Sequence, residues 1–105
     1  MRYILSVSSR AVPGREADYD EWYDNIHMGE VCALPGFVSC ERFRALDMEG
    51  RATGECIAHY QVETDDPAAL LQSLFAATPT MRLTDAIDAS SASFTFLAPH
   101  KGQKE

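Results

Sequence analysis

Apolar and polar residues alternate from Arg2 to Ser9, with Tyr3, Leu5 and Val7 on one side and Ile4, Ser6 and Ser8 on the other. A period of two predicts a strand. Pro13-Gly14 then breaks the chain. From Glu16 to about Ala33 the period changes. Tyr19, Trp22, Tyr23 and Ile26 recur at three- and four-residue steps and form one apolar stripe, which predicts an amphipathic helix. Glu16, Asp18, Asp20 and Glu21 crowd its first turns, where the helix dipole favours negative charge. Gly29 weakens the helix late, and Pro35-Gly36 ends it in a tight turn.

A second strand is predicted over Phe37 to about Ala45, with Phe37, Ser39, Glu41 and Phe43 on one side and Val38, Cys40, Arg42 and Arg44 on the other. The polar stretch Asp47 to Gly54 holds two glycines and reads as a hairpin loop. A third strand spans Glu55 to Glu63. Asp65-Asp66-Pro67 is a helix start, followed by a short apolar helix over Ala68 to Ala77 that Pro79 stops. Met81 to Asp88 reads as a short helical piece or an irregular connection, and Ser93 to Leu97 as the fourth strand. The order strand, helix, strand, strand, helix, strand predicts an α+β, ferredoxin-like βαββαβ domain with a four-stranded antiparallel sheet. That domain is placed at residues 1–98, and residues 99–105 read as a flexible charged tail.

The two faces of this sheet differ. One set is apolar: Tyr3, Leu5 and Val7, then Cys56, Ala58, Tyr60 and Val62, then Phe94 and Phe96. The other set is Ile4, Ser6, Ser8, Ile57, His59, Gln61, Ser93, Thr95 and Leu97. A solvated face normally carries charge in mid-strand, and the centre of this one is almost free of it. The expectation is that the second face is covered by a second copy of the chain, giving a homodimer.

Length and charge narrow the function. A chain of 105 residues supports one core but no roomy cavity besides, so a ligand site should be a cleft or be shared with a second copy. With Lys plus Arg at 9, Asp plus Glu at 16 and a net charge of -7, no nucleic-acid partner is expected and an anionic membrane surface would repel the chain. No charged n-region with an apolar block opens the sequence, and no apolar run reaches the roughly 20 residues of a membrane helix. Three cysteines without metal-like spacing, Cys32, Cys40 and Cys56, read as free thiols in a reducing cytosol, so a cytoplasmic location is expected.

The chemistry concentrates in Tyr19-Asp20-Glu21-Trp22-Tyr23-Asp24-Asn25-Ile26-His27. At helical spacing Tyr23 stands one turn before His27 and shares its face. Asp24, three residues before His27, is placed to orient it. An imidazole beside a carboxylate is a general base or acid near neutral pH, and a phenol can hold or polarise an oxygen. Trp22 and Tyr19 offer flat apolar surface to a ligand. The bland alternative is a histidine at the edge of the buried stripe, capped by Asp24, among aromatics that are simply core. His59 and Tyr60 on the third strand join the substrate-binding candidates, although a mid-strand histidine is more often structural. Arg42 and Arg44 could bind a carboxylate, or merely neutralise neighbouring acids. Asp24, His27 and Glu30 recur at three-residue steps, but one helix rarely supplies a whole metal site. No metal and no cofactor are expected: Cys-x-x-Cys pairs, a haem-attachment motif and phosphate-binding glycine loops are all absent.

Three segments in order, Trp22-Tyr23-Asp24-Asn25-Ile26-His27, Leu34-Pro35-Gly36-Phe37-Val38 and Arg42-Phe43-Arg44, resemble the EthD-like family of the dimeric α+β barrel superfamily. The family pattern is a W-Y-x-x-x-H helix, an L-P-G-F turn and an arginine- and phenylalanine-rich strand. The resemblance covers the first half of the chain. It implies two ferredoxin-like monomers paired sheet to sheet, with His27 in the active site and Trp22 and Tyr23 beside it. The wider superfamily includes polyketide cyclases, muconolactone-type isomerases, cofactor-independent monooxygenases and haem-handling enzymes. EthD-like proteins accompany the degradation of ethers or aromatics. The combined expectation is a cofactor-independent lyase, isomerase or cyclase. It would act on an apolar aromatic or polyketide-like carbonyl compound, with His27, Tyr23 and Asp24 catalytic. The alternatives are a non-catalytic ligand-binding accessory protein of an oxygenase system, or a cofactor-independent monooxygenase.

Overall fold

The structure, a computed structural model, describes residues 1–100. The charged tail expected at 99–105 lies mostly outside the described residues. Four strands form one antiparallel sheet: β1 (Arg2–Ala11), β2 (Phe37–Leu46), β3 (Ala52–Glu63) and β4 (Ile87–Leu97), in the order β2-β3-β1-β4. Between β1 and β2 the chain forms α1 (Glu16–Trp22), a π-helical turn (Tyr23–His27) and α2 (Met28–Cys32). Between β3 and β4 it forms α3 (Pro67–Ala77) and a 3-10 turn (Thr78–Thr80). This is the ferredoxin-like plan.

The apolar sheet face carries the core. Leu5, Val7, Ala58, Tyr60 and Val62 pack against Tyr19, Trp22, Tyr23 and Val31 from the first helical segment and Leu70 and Leu74 from α3. Asp66 caps α3 as its sequence suggests, accepting from Ala69 N at 3.1 Å ahead of Pro67.

Two strand irregularities change the expected faces. A bulge between Phe37 and Ser39 turns Phe37 onto the core face, opposite Val62, and leaves Ser39, Glu41 and Phe43 on the other. Phe37 therefore packs edge-on against Tyr60, at 6.0 Å, instead of sharing a side with Phe43. The second bulge lies in β4. Ser8 pairs with Ser93 but Arg10 pairs with Asp88, so residues 89–92 loop out of the ladder. The fourth strand accordingly starts at Ile87, six residues before the expected start. Ser91 pins the bulge: its hydroxyl accepts from Arg10 N at 2.9 Å and donates to the Asp88 carbonyl at 2.6 Å.

The hairpin loop is also shorter than expected. Asp47 closes it by accepting from Glu49 N and Arg51 N, both at 2.9 Å, so Ala52 already pairs with Leu46. Residues 81–86 form the irregular connection, one of the two expected forms.

The second sheet face has no fully buried residue. Ile4, Ser6, Ser8, Ile57, His59 and Gln61 are half-buried, and Phe43 and Leu97 are exposed.

Gly36 makes the turn into β2. Its φ is +89°, and a Cβ there would lie 2.8 Å from Leu70 Cδ1 and 3.2 Å from the Glu63 carbonyl oxygen. Gly36→Ala is expected to cost about 2 kcal/mol, from strain plus displacement of Leu70. Urea unfolding would show it as a lower midpoint at unchanged slope. An unchanged midpoint would contradict it.

Candidate functional site

The π-helical turn sets the geometry around His27. Met28 N–H donates to the Tyr23 carbonyl, five residues back, so this turn is wider than an α-helical one. The widening brings Trp22 and His27 into register. Their rings stack at 4.4 Å with an interplanar angle of 18°. Tyr23 meets His27 edge-on at 5.1 Å and Trp22 edge-on at 5.5 Å. The sequence spacing pointed to the Tyr23–His27 pair but missed the Trp22–His27 stack. Single π turns are frequent at functional sites.

His27 is half-buried, and its Nδ1 is a buried atom with no hydrogen-bond partner among the described residues. Burial pushes its pKa below the ordinary histidine value, against the opposing charge of Glu30. The imidazole is therefore neutral near pH 7. Asp24 does not orient it, contrary to expectation. Its carboxylate accepts from Arg42 Nη1 at 2.7 Å, while Asp20 accepts from Nη2 at 3.0 Å. The wide turn carries Asp24 to the outer flank, where the guanidinium of β2 captures it. Glu30 is also engaged elsewhere, accepting from Arg82 N at 3.2 Å. The loose Asp24, His27 and Glu30 convergence thus does not form, and no cluster of three or more metal-ligating side chains exists among the described residues.

Arg42 neutralises neighbouring acids, and does more. Its guanidinium lies 4.6 Å from the Tyr23 ring centroid and 5.4 Å from that of Tyr19. Burial works against its charge, but the bonds to Asp24 and Asp20 outweigh that and raise its pKa.

A cavity of about 220 Å³ opens beside the His27 ring. Trp22, Tyr23, His27 and Val31 form one wall, Val7, Ser9 and Tyr60 the sheet floor. Leu74, Phe75 and Thr78 close it from α3, and Leu83 and Thr84 from the connection. The small residues Ala89 and Ala92 of the β4 bulge, with Ile87 and Phe94, complete it. Trp22 anchors the connection by donating its indole N–H to the Arg82 carbonyl at 2.9 Å. Phe75 and Phe94, edge to face at 5.1 Å, are two of its apolar residues.

Tyr60 donates to the Tyr23 hydroxyl at 3.3 Å. Burial raises the pKa of both phenols, so both stay protonated and serve as donors. Tyr60, a substrate-binding candidate, lines the cavity. Tyr19 does not: it is buried behind Tyr23, its ring 5.6 Å away and its hydroxyl 2.6 Å from that of Ser9. His59 sits on the opposite sheet face against Phe43, at 5.1 Å, and takes no part in this cavity. Strand alternation alone separates His59 from Tyr60, its neighbour in sequence. The contributions of α3, the connection and β4 carried no sequence signal, being isolated apolar or small residues.

The lowered His27 pKa has a stability consequence. Below the ordinary value of about 6.5, the unfolded chain takes up a proton that folded His27 resists. The stability tied to neutral His27 is full above that value and is lost as pH falls through the folded pKa. Urea unfolding at pH 7.5 and pH 5.0 is expected to show a smaller loss for His27→Gln than for the parent chain. Equal losses would mean that His27 titrates normally.

No protein-family model matches the chain, and neither does any curated protein. Among solved structures, it is similar to the crystal structure of an ethyl tert-butyl ether D (EthD) family protein from Bacillus halodurans. The two align with a TM-score of 0.56 at 14% identity, over 93% of this chain and 99% of the other. At that identity the likeness speaks for architecture alone, and it agrees with the strand order: the chain has the α+β, ferredoxin-like fold seen in an EthD family protein.

Proposed function

We propose that the protein is a cofactor-independent small-molecule enzyme that moves a proton at a carbon next to a carbonyl group. Lyases, isomerases and cyclases share that step. The observation that carries the reading is a neutral His27 stacked on Trp22, its ring lining the same apolar cavity as the Tyr23–Tyr60 pair. His27 takes the proton from carbon, the C–H electron pair becomes a C=C bond, and the C=O π pair shifts onto the carbonyl oxygen. Tyr23 donates a hydrogen bond to that oxygen, with Tyr60 bonded behind it. The proton then returns to carbon, at the same or another position. Asp24 acts in this reading only through Arg42.

Deuterium exchange tests it without a known physiological substrate. In D2O, the α-protons of a bound ketone are expected to be lost at a rate proportional to protein. Tyr23→Phe is expected to slow this by about ten- to a hundredfold, the cost of one removed oxyanion donor or somewhat less. Ligands that bind yet never exchange would assign a non-catalytic carrier instead.

The open sheet face supports a homodimer in the same reading, since Phe43 and Leu97 are 43% and 41% exposed and the mid-strand carboxylate of this face, Glu41, sits on the edge strand β2. Light scattering is expected to give twice the 11.6 kDa of one chain. A monomer at micromolar concentration would remove that part of the proposal.

A further inference from the structure

The cavity bounds its occupant in size, charge and polarity. We infer that it binds an uncharged, single-ring compound bearing one hydrogen-bond-accepting oxygen. This rests on reading the cavity as the ligand site, but not on the chemistry proposed there.

Size comes first. An apolar cavity of about 150 Å³ in another protein accommodates benzene. The 220 Å³ here therefore accepts one ring with a short substituent, and a fused polycycle would have to project through the opening. Charge comes second. Among the described residues no Lys, Arg, Asp or Glu lines the cavity, and burial keeps His27 neutral. Arg42, the cation near the phenols, is already bonded to Asp20 and Asp24. An anion would lose its hydration with no cation to meet it. Polarity comes third. Tyr60 donates to Tyr23, so the Tyr23 proton is left for a ligand oxygen. Ser9, Thr78 and Thr84 also line the cavity, but their hydroxyls already bond Tyr19, the Leu74 carbonyl and Ala86 N, and Leu74, Phe75 and Phe94 face the rest of the ligand with apolar surface.

Three probes separate these terms on the full chain. Acetophenone has one ring, no charge and one acceptor. Benzoate has the same size and a negative charge. 2-Acetonaphthone keeps the ketone and adds a fused ring. Trp22 is the single tryptophan, and its indole N–H is a unique proton resonance at the cavity wall. Acetophenone is expected to shift that resonance saturably. Benzoate and 2-acetonaphthone are expected to bind at least about tenfold more weakly, from the penalties for burying an unpaired charge and for overfilling a packed site. Benzoate binding as tightly as acetophenone would overturn the charge argument. 2-Acetonaphthone doing so would overturn the size argument. No response to any probe would overturn the site itself. Acetophenone that binds without α-proton exchange keeps this inference and discards the proposed reaction.

Discussion

His27→Gln is expected to slow ketone α-proton exchange by about 10²–10⁴-fold, the usual contribution of a positioned general base, while the chain stays folded. Glutamine keeps a polar side chain of similar reach but cannot accept a proton from carbon. The protein around His27 loses little by the change. Nδ1 has no partner to abandon, and the main loss is the stack on Trp22. Far-UV circular dichroism and the Trp22 indole resonance would report an intact fold. Exchange in the folded variant at the parent rate would remove His27 from the mechanism. The pH profile adds a second check. Because burial lowers the His27 pKa, the base form persists below the ordinary value of about 6.5. Exchange should therefore hold up to lower pH than for free imidazole.

Arg42→Met is expected to cost about 2 kcal/mol of stability, as much as Gly36→Ala. Each ion pair contributes less than about 1 kcal/mol, because Asp20 and Asp24 are 57% and 55% exposed. The Arg42 side chain is only 15% exposed and its guanidinium lies over two phenol rings, which adds a cation–π contribution of about 1 kcal/mol. Its removal also leaves two carboxylates, one turn apart, facing each other. A loss of that size lowers the melting temperature by roughly 10 °C in a domain of this length. Arg15→Met is the control. Arg15 also holds two acids, Asp18 and Asp85, but at 40% exposure and with no ring beneath it. Its loss is expected to be clearly smaller than that of Arg42→Met. Similar losses for the two variants would show that the rings under Arg42 add nothing. Arg42 also ties α1 and the π-helical turn to β2, so the Trp22 indole resonance is expected to move in Arg42→Met and to stay put in Arg15→Met.

Much of the fold was legible in the residues. Alternation marked all four strands, and the Asp66-Pro67 start and the Pro35-Gly36 stop fell where the structure has them. Boundaries failed where the ladder is irregular. Residues 52–54 looked like loop because Thr53 and Gly54 are poor core formers, yet Ala52 pairs with Leu46 once Asp47 closes the turn, and a register shift then carries the strand on to Cys56. Residues 87–88 looked like part of the connection and 89–92 like no part of the strand, because a bulge hides their alternation. At the site, Trp22, Tyr23, His27 and Tyr60 were found and do line one cavity. Tyr19 and His59 were picked on residue type, and the structure puts one behind the cavity and the other across the sheet.

By itself the sequence determined the element order, the apolar sheet face and the aromatic run that carries His27. These follow from periodicity, which is a local property of the chain. Only the tertiary structure decided that the run opens into a π turn, that Trp22 rather than Asp24 is the neighbour of His27, and that α3 and the β4 bulge close the cavity. Those outcomes rest on partners far away in the chain. Arg42 draws Asp24 outward, and Arg82 fixes the Trp22 indole. No local pattern announces such contacts, because each is selected by packing after the sheet has formed.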